Sequence, residues 1–237
     1  MPEYFKVKHL FLSVMRLASL FSGGKDSLMS LYLMEQQGHD ITVLVNIAPR
    51  CDSSFMFHTP NLHLLPLMAK SMGKTLVQAE GGLTEEEDLD ALEKTLSTLD
   101  VEGVIIGAIA SDYQWDRVNR VCEKIGLKVF APMWRKAPDI VLREMIDADV
   151  RAVFVAVMAE GLEPSWLGRE LDMAALEELN SLSFRYGINV AGEGGEYETL
   201  VLDSPLYSRP LVIDMIEESV SRDSAIMRVT KAHLGSR

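Results

Sequence analysis

Two short segments of the sequence concentrate the side chains that could do chemistry. The first, called here the glycine–lysine loop, comprises Ser22, Gly23, Gly24, Lys25, Asp26 and Ser27. Paired glycines let backbone N–H groups approach an anion closely, and the free N–H groups of a helix start attract phosphate. The hydroxyls and Lys25 add donors, and Asp26 could help to hold Mg²⁺ among phosphate oxygens. The loop therefore predicts phosphate binding, with a purely structural Gly-Gly turn as the alternative.

The second segment lies late in the chain and is called here the glutamate segment. It comprises Gly192, Glu193, Gly194, Gly195, Glu196, Tyr197, Glu198 and Thr199. Three carboxylates so close together repel one another unless a cation is present, so the segment would suit a cationic or amine-bearing substrate. The alternative is a solvated acidic loop, because charge runs often lie at the surface.

The elements that position the glycine–lysine loop follow from hydrophobic patterning. Short apolar runs predict strands at residues 17–21, 41–47, 75–79, 104–106 and 128–131, with helical patterns between them. This alternation predicts an α/β fold with a twisted parallel sheet and helices on both faces. In such a sheet ligands bind beyond the carboxyl ends of the strands, which is where residues 22–27 are expected.

The pattern becomes less regular after Pro132. Helices are predicted near 140–146 and 173–186, and a strand at 152–157. Three further strands, at 200–202, 211–215 and 226–229, are expected to be antiparallel. We expect an N-terminal extension at 1–14, a sheet domain at 15–131 and a smaller α+β region at 132–237.

Composition and charge narrow the class of protein. The 237 residues carry 23 basic and 35 acidic side chains, a net charge of −12, which argues against nucleic acid as a partner. The two cysteines form no CxxC motif, which argues against a zinc knuckle and suits a reducing cytoplasm. The longest apolar run, Ala152 to Ala159, is too short to span a bilayer, so no membrane association is expected.

The motifs resemble those of a known family. Residues 22–27 match SGGxDS, the loop of the PP-loop ATP pyrophosphatases, and match neither a Walker A loop nor GxGxxG. The run GEGGEYETLVLDSPL at 192–206 is similar to the diphthine–ammonia ligases of that superfamily. Further similarity lies in HTPN at 58–61, GAIASDYQWDRV at 107–118 and the WLGR ending of 161–169. The resemblance covers about 15–231 and is to the short, archaeal-type form, without the extra C-terminal domains of larger eukaryotic members.

This resemblance implies an ATP-dependent carbon–nitrogen ligase that uses Mg²⁺ with ATP and has no dedicated metal site. It would convert diphthine, a modified histidine of elongation factor 2, to diphthamide in the cytoplasm. The diphthine carboxylate would form an acyl adenylate with release of pyrophosphate, and free ammonium would then displace AMP. Residues 15–131 would bind ATP and residues 132–237 the substrate, and an oligomer is possible.

The resemblance also implies roles for individual residues. The catalytic residues would be Lys25, Glu193, Glu196 and Glu198. ATP would contact the glycine–lysine loop, Asn46, Ile47 and Gly107. The substrate would contact Ser111, Asp112, Tyr113, Gln114, Arg117, Gly194, Gly195, Tyr197, Trp166, Arg169 and His58. Alternatives stay open for several of these: helix capping for Ser111 or Asp112, a core position for Trp166 and a structural loop position for His58.

Two other functions compete with this hypothesis. One is a different PP-loop adenylating enzyme, such as a tRNA thiolase or a small-molecule amidating synthetase. A thiolase usually needs catalytic cysteines and a basic surface, and the sequence shows neither clearly. The other is a non-catalytic ATP-binding module, which would need the glycine–lysine loop but not the glutamate segment.

Overall fold

Two sheets organise the part of the chain that the computed structural model describes, residues 13–50 and 60–237. The strands of the first sheet are β1 (Arg16–Leu20), β2 (Asp40–Ala48), β3 (Thr75–Glu80), β4 (Gly103–Ile105) and β5 (Lys128–Phe130). Those of the second are β6 (Arg151–Val157), β7 (Tyr197–Asp203), β8 (Leu211–Val220) and β9 (Ala225–Leu234). The helices are α1 (Lys25–Gln36), α2 (Leu65–Met72), α3 (Glu85–Ser97), α4 (Asp112–Ile125), α5 (Pro138–Asp147) and α6 (Met173–Tyr186).

The first sheet has the strand order β3-β2-β1-β4-β5, and every neighbouring pair is parallel. In the central strand β1, Leu17 belongs to one apolar cluster and the next residue, Ala18, belongs to another. Residues of α1 and α2 belong to the first cluster, and residues of α3 and α4 belong to the second. The predicted parallel sheet with helices on both faces is therefore confirmed. Because the strand order reverses at β1, the loop that follows β1 lies at the switch point where ligands bind in such sheets.

Local sequence features determine where helices begin. Thr84 and Glu87 form a capping box at the start of α3. Thr84 Oγ1 accepts from Glu87 N–H (3.3 Å), and Glu87 Oε2 accepts from Thr84 N–H (3.2 Å). At α6 the carboxylate of Asp172 accepts from Ala175 N–H (2.8 Å). The predicted helix at 173–186 is therefore confirmed with the same first and last residues, Met173 and Tyr186.

The second sheet is antiparallel, with the order β7-β6-β9-β8. It forms, with α5 and α6, the α+β region expected after Pro132. One continuous apolar cluster contains residues of both sheets, including Phe21 after β1, Phe154 of β6 and Tyr197 of β7. The domain boundary near residue 132 stays a prediction. Within residues 13–50 and 60–237, every helix is too short or too polar to cross a membrane.

Asn61, which precedes α2, links this part of the chain to strand β9 through two hydrogen bonds. Its side chain is 1% exposed, donates to the carbonyl of Met227 (3.1 Å) and accepts from the N–H of Val229 (2.8 Å). These bonds satisfy backbone groups that have no neighbouring strand there, because β9 pairs with β6 only at Ala225 and Ile226. The asparagine of the HTPN motif therefore has a structural role in joining the two sheets.

Replacing Asn61 by Ala should lower the free energy of unfolding by about 2–4 kcal/mol, because a buried donor and a buried acceptor lose their partner. Urea denaturation measures this change. Asn180→Ala, at an exposed position of α6, is the control and should change stability by less than about 0.5 kcal/mol. Equal stability of the two variants would show that the Asn61 bonds do not hold the sheets together.

Candidate functional site

The glycine–lysine loop is closed by its own serines. Ser22 Oγ lies 3.2 Å from Ser27 Oγ and accepts from the N–H of Gly24 (3.3 Å). The Ser27 hydroxyl also donates to the carbonyl of Gly24 (3.0 Å). The loop therefore has a defined shape at the point where α1 begins.

Two glycines are required by close backbone approach. Gly23 has φ +84°, and a Cβ there would lie 2.9 Å from Leu65 Cδ2. A Cβ on Gly107 would lie 2.9 Å from the backbone nitrogen of Ser27. Gly107 thus lets the chain after β4 pack directly on the first turn of α1, beside the glycine–lysine loop. A contact of Gly107 with ATP stays a prediction.

Lys25 is 3% exposed, and its ammonium group is fixed by partners from both ends of the chain. It donates to Asp26 Oδ2 (2.8 Å) and to the carbonyl of Ala191 (2.7 Å), and it lies 5.0 Å from the centroid of the Tyr197 ring. Burial is the largest single influence on Lys25 and lowers its pKa. The charge and hydrogen bond of Asp26, together with the charges of Tyr197 and Glu193, outweigh burial, so the pKa is raised well above its ordinary value. The site therefore contains a permanent, rigidly held positive charge.

Strand β7 brings the glutamate segment to the glycine–lysine loop. The N–H of Val201 donates to the carbonyl of Gly23 (3.0 Å), and the N–H of Lys25 donates to Thr199 Oγ1 (3.2 Å). Together with the hydrogen bond from Lys25 to the Ala191 carbonyl, these bonds join the two segments into one site. Lys25 and Thr199 are 174 residues apart in the sequence. Ala191 acts through its backbone carbonyl, so its side-chain type gives no signal in the sequence.

Glu193 and Glu196 are held by backbone donors. Glu193 accepts from the N–H groups of Ile109 (2.9 Å) and Ala110 (2.7 Å), which ties the glutamate segment to the loop after β4. Glu196 accepts from the N–H groups of Asn189 (2.8 Å) and Gly194 (2.8 Å) and so braces its own segment. The spacing of the three carboxylates predicts a cation that relieves their mutual repulsion. For Glu193 and Glu196, backbone N–H groups stabilise the negative charge instead.

Glu198 differs from the other two glutamates. It is partly buried, and within residues 13–50 and 60–237 its carboxylate has no hydrogen bond or ion pair. Burial raises the pKa of Glu198 from its ordinary value of 4.5 to about 7, although the nearby Lys25 charge opposes the shift. Glu198 is therefore a carboxyl group that can exchange a proton near neutral pH.

Asp26 offers an oxygen suited to a metal ion. Its Oδ2 binds Lys25, whereas Oδ1 is buried and lacks a hydrogen-bond partner in the described part of the chain. Mg²⁺ prefers carboxylate oxygens and is usually bound by one or two of them together with substrate phosphates. The Asp26 carboxylate therefore fits Mg²⁺ that arrives with a nucleotide. The described ranges contain no group of three or more His, Cys, Asp or Glu side chains placed to hold a metal.

The residues predicted to contact adenine are placed at the ends of their strands. Asn46 is 4% exposed and donates to the carbonyl of Phe21 (3.0 Å), while its own side-chain oxygen lies 3.4 Å from Gln78 Nε2. The side chain of Ile47 is fully buried in the apolar cluster beneath α3 and α4. An adenine contact by either residue stays a prediction.

Ser111 and Asp112 have structural partners at the start of α4. Ser111 is the N-cap and accepts from the N–H of Gln114 (3.3 Å), as the capping alternative expected. Asp112 pairs with Arg135 (2.6 Å) at an exposed position. Their roles in substrate binding stay predictions.

Tyr113 and Arg117 form a cluster with Glu85 of α3. The Tyr113 hydroxyl and the Arg117 guanidinium both hydrogen-bond to the Glu85 carboxylate, and the guanidinium lies 3.4 Å from the centroid of the Tyr113 ring. The hydrogen bond from Arg117 lowers the pKa of Glu85. Arg117 lies 32 residues from Glu85 in the sequence, so the sequence around Glu85 gives no local signal of this pairing.

The remaining predicted residues lie in different surroundings. Trp166 is 3% exposed and packs edge-on against Phe154 at 4.9 Å, which is the core position left open as an alternative. Arg169 lies 4.2 Å from the centroid of the Trp166 ring and pairs with Glu178 of α6 (2.6 Å). Tyr197 is buried, and the cation over its ring is Lys25. Gly194 and Gly195 are exposed, and His58 lies outside the described residues.

Comparison with known proteins identifies the relatives of this chain. Two family models match in succession, the diphthamide synthase N-terminal domain at residues 15–129 and the diphthamide synthase C-terminal domain at 137–234. A Mus musculus protein named diphthine–ammonia ligase is 37% identical over 250 residues, which cover 93% of this chain and 92% of the relative. The Homo sapiens protein of the same name is 36% identical over 250 residues, with the same coverage of both chains. A Saccharomyces cerevisiae protein of that name is 32% identical, and this chain spans 33% of it.

A parallel α/β sheet with a glycine-rich loop and a buried lysine at its switch point defines the class of this protein, a PP-loop-like fold. The chain belongs to the diphthamide synthase family, a family of ligases. A solved structure described as "predicted subunit of tRNA methyltransferase" from Methanocaldococcus jannaschii aligns with 15% identity over 81% of this chain and 98% of that chain. Its TM-score is 0.45.

Gly23→Ala should both destabilise the protein and abolish ATP binding, because the new Cβ is strained at φ +84° and contacts Leu65. Gly38→Ala is a matched control: Gly38 has φ +87°, but nothing lies within 4 Å of the added Cβ. It should cost about 1–2 kcal/mol of backbone strain and leave ATP binding intact. Urea denaturation and calorimetric titration with ATP measure both effects. Equal ATP affinity in the two variants would show that the loop shape is not needed for the nucleotide.

Glu198→Gln should raise the free energy of unfolding at about pH 8 by about 1–3 kcal/mol, because the wild-type carboxylate must then be charged in a partly buried position. A pKa that is higher in the folded than in the unfolded state makes stability fall as pH rises from 4.5 to about 7. The two proteins should therefore be equally stable below about pH 4.5. Urea denaturation across this pH range is the measurement. A stability difference that does not change with pH would contradict the assigned shift.

Proposed function

We propose that this chain catalyses the ATP-dependent amidation of diphthine on elongation factor 2. Diphthine, ammonium and ATP would give diphthamide, AMP and pyrophosphate. The main support for the proposal is that hydrogen bonds join the glycine–lysine loop to the late part of the chain. Gly23 accepts from Val201, and Lys25 donates to Thr199 and Ala191. A nucleotide at the loop would therefore lie beside the carboxylates that the substrate could meet. The Mus musculus and Homo sapiens relatives are named diphthine–ammonia ligase, which supports diphthine and ammonia as substrates.

The loop supplies what the triphosphate needs. Helix α1 begins at Lys25, whose own N–H donates to Thr199 Oγ1. The N–H groups of the next residues in the first turn, Asp26 and Ser27, lie at the loop and would favour an anion there. An ammonium group has three donors, and Lys25 uses two of them on Asp26 and Ala191. Because Lys25 is already fixed, it can stabilise charge that develops on phosphate without reorganising.

Two displacements would make up the reaction. A diphthine carboxylate oxygen attacks the α-phosphorus of ATP, and the bond to the pyrophosphate oxygen breaks with its electron pair leaving on pyrophosphate. Ammonia then attacks the acyl carbon of the resulting adenylate, and the carbon–oxygen bond breaks with its electron pair leaving on AMP. The chain's residues bind the phosphates, hold the carboxylate in line and keep positive charge close to the reacting oxygens.

Mg²⁺ would be held by the free Oδ1 of Asp26 together with phosphate oxygens, and it would neutralise negative charge on the triphosphate. The Asp26 carboxylate also fixes Lys25, so this side chain orders both positive charges of the site. The protein would act in the cytoplasm, a reducing compartment that suits the unpaired, buried thiol of Cys122.

The test is to combine the protein with ATP, Mg²⁺, ammonium and elongation factor 2 that carries diphthine. AMP and the amide, detected by the mass of the modified peptide, should form in equal amounts. ATP binding without AMP formation would support a non-catalytic module instead. AMP formation with tRNA or a small acid, but not with the elongation factor, would support another adenylating enzyme.

Lys25→Gln should lower kcat for AMP formation by about 10²- to 10³-fold, because a preorganised charge beside the transferring phosphate is lost. Lys124→Gln removes an exposed lysine that pairs with Glu93 (3.0 Å) and should leave kcat unchanged. Initial rates of AMP release at saturating ATP measure both variants, and circular dichroism checks their folding. A folded Lys25→Gln protein with the wild-type rate would remove Lys25 from the mechanism.

A further inference from the structure

A partly exposed aromatic ring beside the loop after β4 already carries a cation. Trp134, which follows β5, stacks on Trp115 of α4, with the ring centroids 4.8 Å apart and the planes 22° apart. The guanidinium carbon of Arg135 lies 4.9 Å from the centroid of the Trp134 ring. We propose that this ring and the carboxylate of Asp112 bind the trimethylammonium group of diphthine, and that Arg135 occupies the place until the substrate displaces it. The inference rests on the proposed function and locates the cation subsite for its protein substrate.

The chemistry of the substrate requires such a site. Diphthine carries a trimethylammonium group in addition to the carboxylate that reacts. This group has no N–H donor, so it is held by an aromatic face and a nearby negative charge rather than by hydrogen bonds. Among aromatic side chains, tryptophan binds cations best. The Asp112 carboxylate supplies the negative charge, because it accepts from the same Arg135 guanidinium (2.6 Å) that lies over Trp134.

The aromatic residues that the sequence predicts for substrate contact are already engaged. Tyr197 is buried, and Lys25 lies over its ring. Trp166 is buried in the core. Tyr113 is covered by Arg117, which a hydrogen bond to a carboxylate of α3 also holds in place. None of these three rings therefore offers a face to a substrate cation.

Arg135 differs from those cations because its side chain is easily displaced. Its side chain is 58% exposed and that of Asp112 is 64% exposed, and ion pairs as exposed as this one contribute little stability. The side chain of Arg117, by comparison, is 27% exposed. Trp115 covers one face of Trp134, so the face that Arg135 vacates is the one open to a ligand.

One residue connects this subsite to the glutamate segment. The N–H of Ile109 donates to Glu193 (2.9 Å), and the carbonyl of Ile109 accepts from the N–H of Arg135 (2.7 Å). Because the N–H and the carbonyl of one residue are joined by a short stretch of backbone, the Arg135 nitrogen lies within about 10 Å of the Glu193 carboxylate. Gly107, two residues earlier, packs on the first turn of α1. A cation on Trp134 would therefore lie at the side of the site that the two segments form.

Tetramethylammonium tests the subsite without any turnover. It should shift the indole N–H resonance of Trp134 in the NMR spectrum, and sodium chloride at the same ionic strength should not. Arg135→Gln removes the competing cation, so it should bind tetramethylammonium about 2- to 10-fold more tightly. Arg185→Gln is the matched control, because Arg185 is an exposed arginine of α6 whose guanidinium lies 5.9 Å from the centroid of the Tyr186 ring. It should bind as wild type. Equal affinity in Arg135→Gln and wild type, or an equal shift with sodium chloride, would overturn the inference.

Trp134→Leu gives the kinetic test. The KM for elongation factor that carries diphthine should rise about 3- to 30-fold, while kcat and the KM values for ATP and ammonium stay unchanged, because only the contact with the cation is lost. Trp134→Phe keeps an aromatic face and should recover most of the affinity. Phe184→Leu replaces an aromatic side chain of α6 that is 97% exposed and should behave as wild type.

A second substrate separates cation recognition from a structural role of Trp134. Elongation factor whose side-chain nitrogen bears hydrogens in place of the three methyl groups has N–H donors and depends less on an aromatic face. Wild-type protein should prefer the trimethylated form, and Trp134→Leu should lose this preference. A rise in KM that is equal for both substrates would overturn the inference.

The exposed position of Arg135 keeps the test decisive if Trp134→Leu fails to fold. Arg135→Gln should lower the KM for the diphthine-bearing protein about 2- to 5-fold, and a KM equal to or above the wild-type value would contradict the proposal. If wild-type protein makes no AMP and no amide, the proposed function fails, and the tetramethylammonium titration still decides whether Trp134 binds a quaternary cation. If wild type makes both and the variants keep its KM, only the subsite fails.

Discussion

The buried ammonium group of Lys25 is the interaction on which the rest of the site depends. A charge that is taken out of water is costly unless it is paired and hydrogen-bonded. Lys25 obtains its carboxylate partner from Asp26, the next residue, but its carbonyl and aromatic partners come from Ala191 and Tyr197. The positive charge is therefore stable only when the late part of the chain is folded against the glycine–lysine loop.

The second sheet explains how that distant partner is supplied. Strand β7 pairs with β6, and the N–H of Val201 in β7 donates to the carbonyl of Gly23 in the glycine–lysine loop. The continuous apolar cluster beneath this contact includes Phe21 and Phe154. Glu193 adds a second connection, to the loop after β4. The antiparallel sheet thus completes a site that the parallel sheet begins.

The sequence predicted the features that depend on local patterning. Alternation of strands and helices gave the parallel sheet, and the position of the glycine–lysine loop after β1 followed from it. Strands β8 and β9 were predicted at 211–215 and 226–229 but extend over Leu211–Val220 and Ala225–Leu234. The second half of β8 is exposed on both faces, so it lacks the alternation that a core-facing strand shows.

Roles that depend on long-range contacts could not be predicted. The three glutamates of the glutamate segment look equivalent in sequence. They are distinguished only by the backbone N–H groups that bind Glu193 and Glu196. Trp166 could equally cover a site or fill a core, and the structure buries it against Phe154. Asn61 belongs to a motif, but its partners on β9 lie 166 and 168 residues away.

The central claim is that one site uses both ends of the chain to activate a carboxylate with ATP. A crystal structure with a non-hydrolysable ATP analogue, Mg²⁺ and a diphthine-containing peptide tests it most directly. The account predicts phosphates at residues 22–27 within hydrogen-bonding distance of Lys25, and the diphthine side chain between them and Glu198. A nucleotide bound elsewhere, or a peptide that does not reach the glutamate segment, would contradict it.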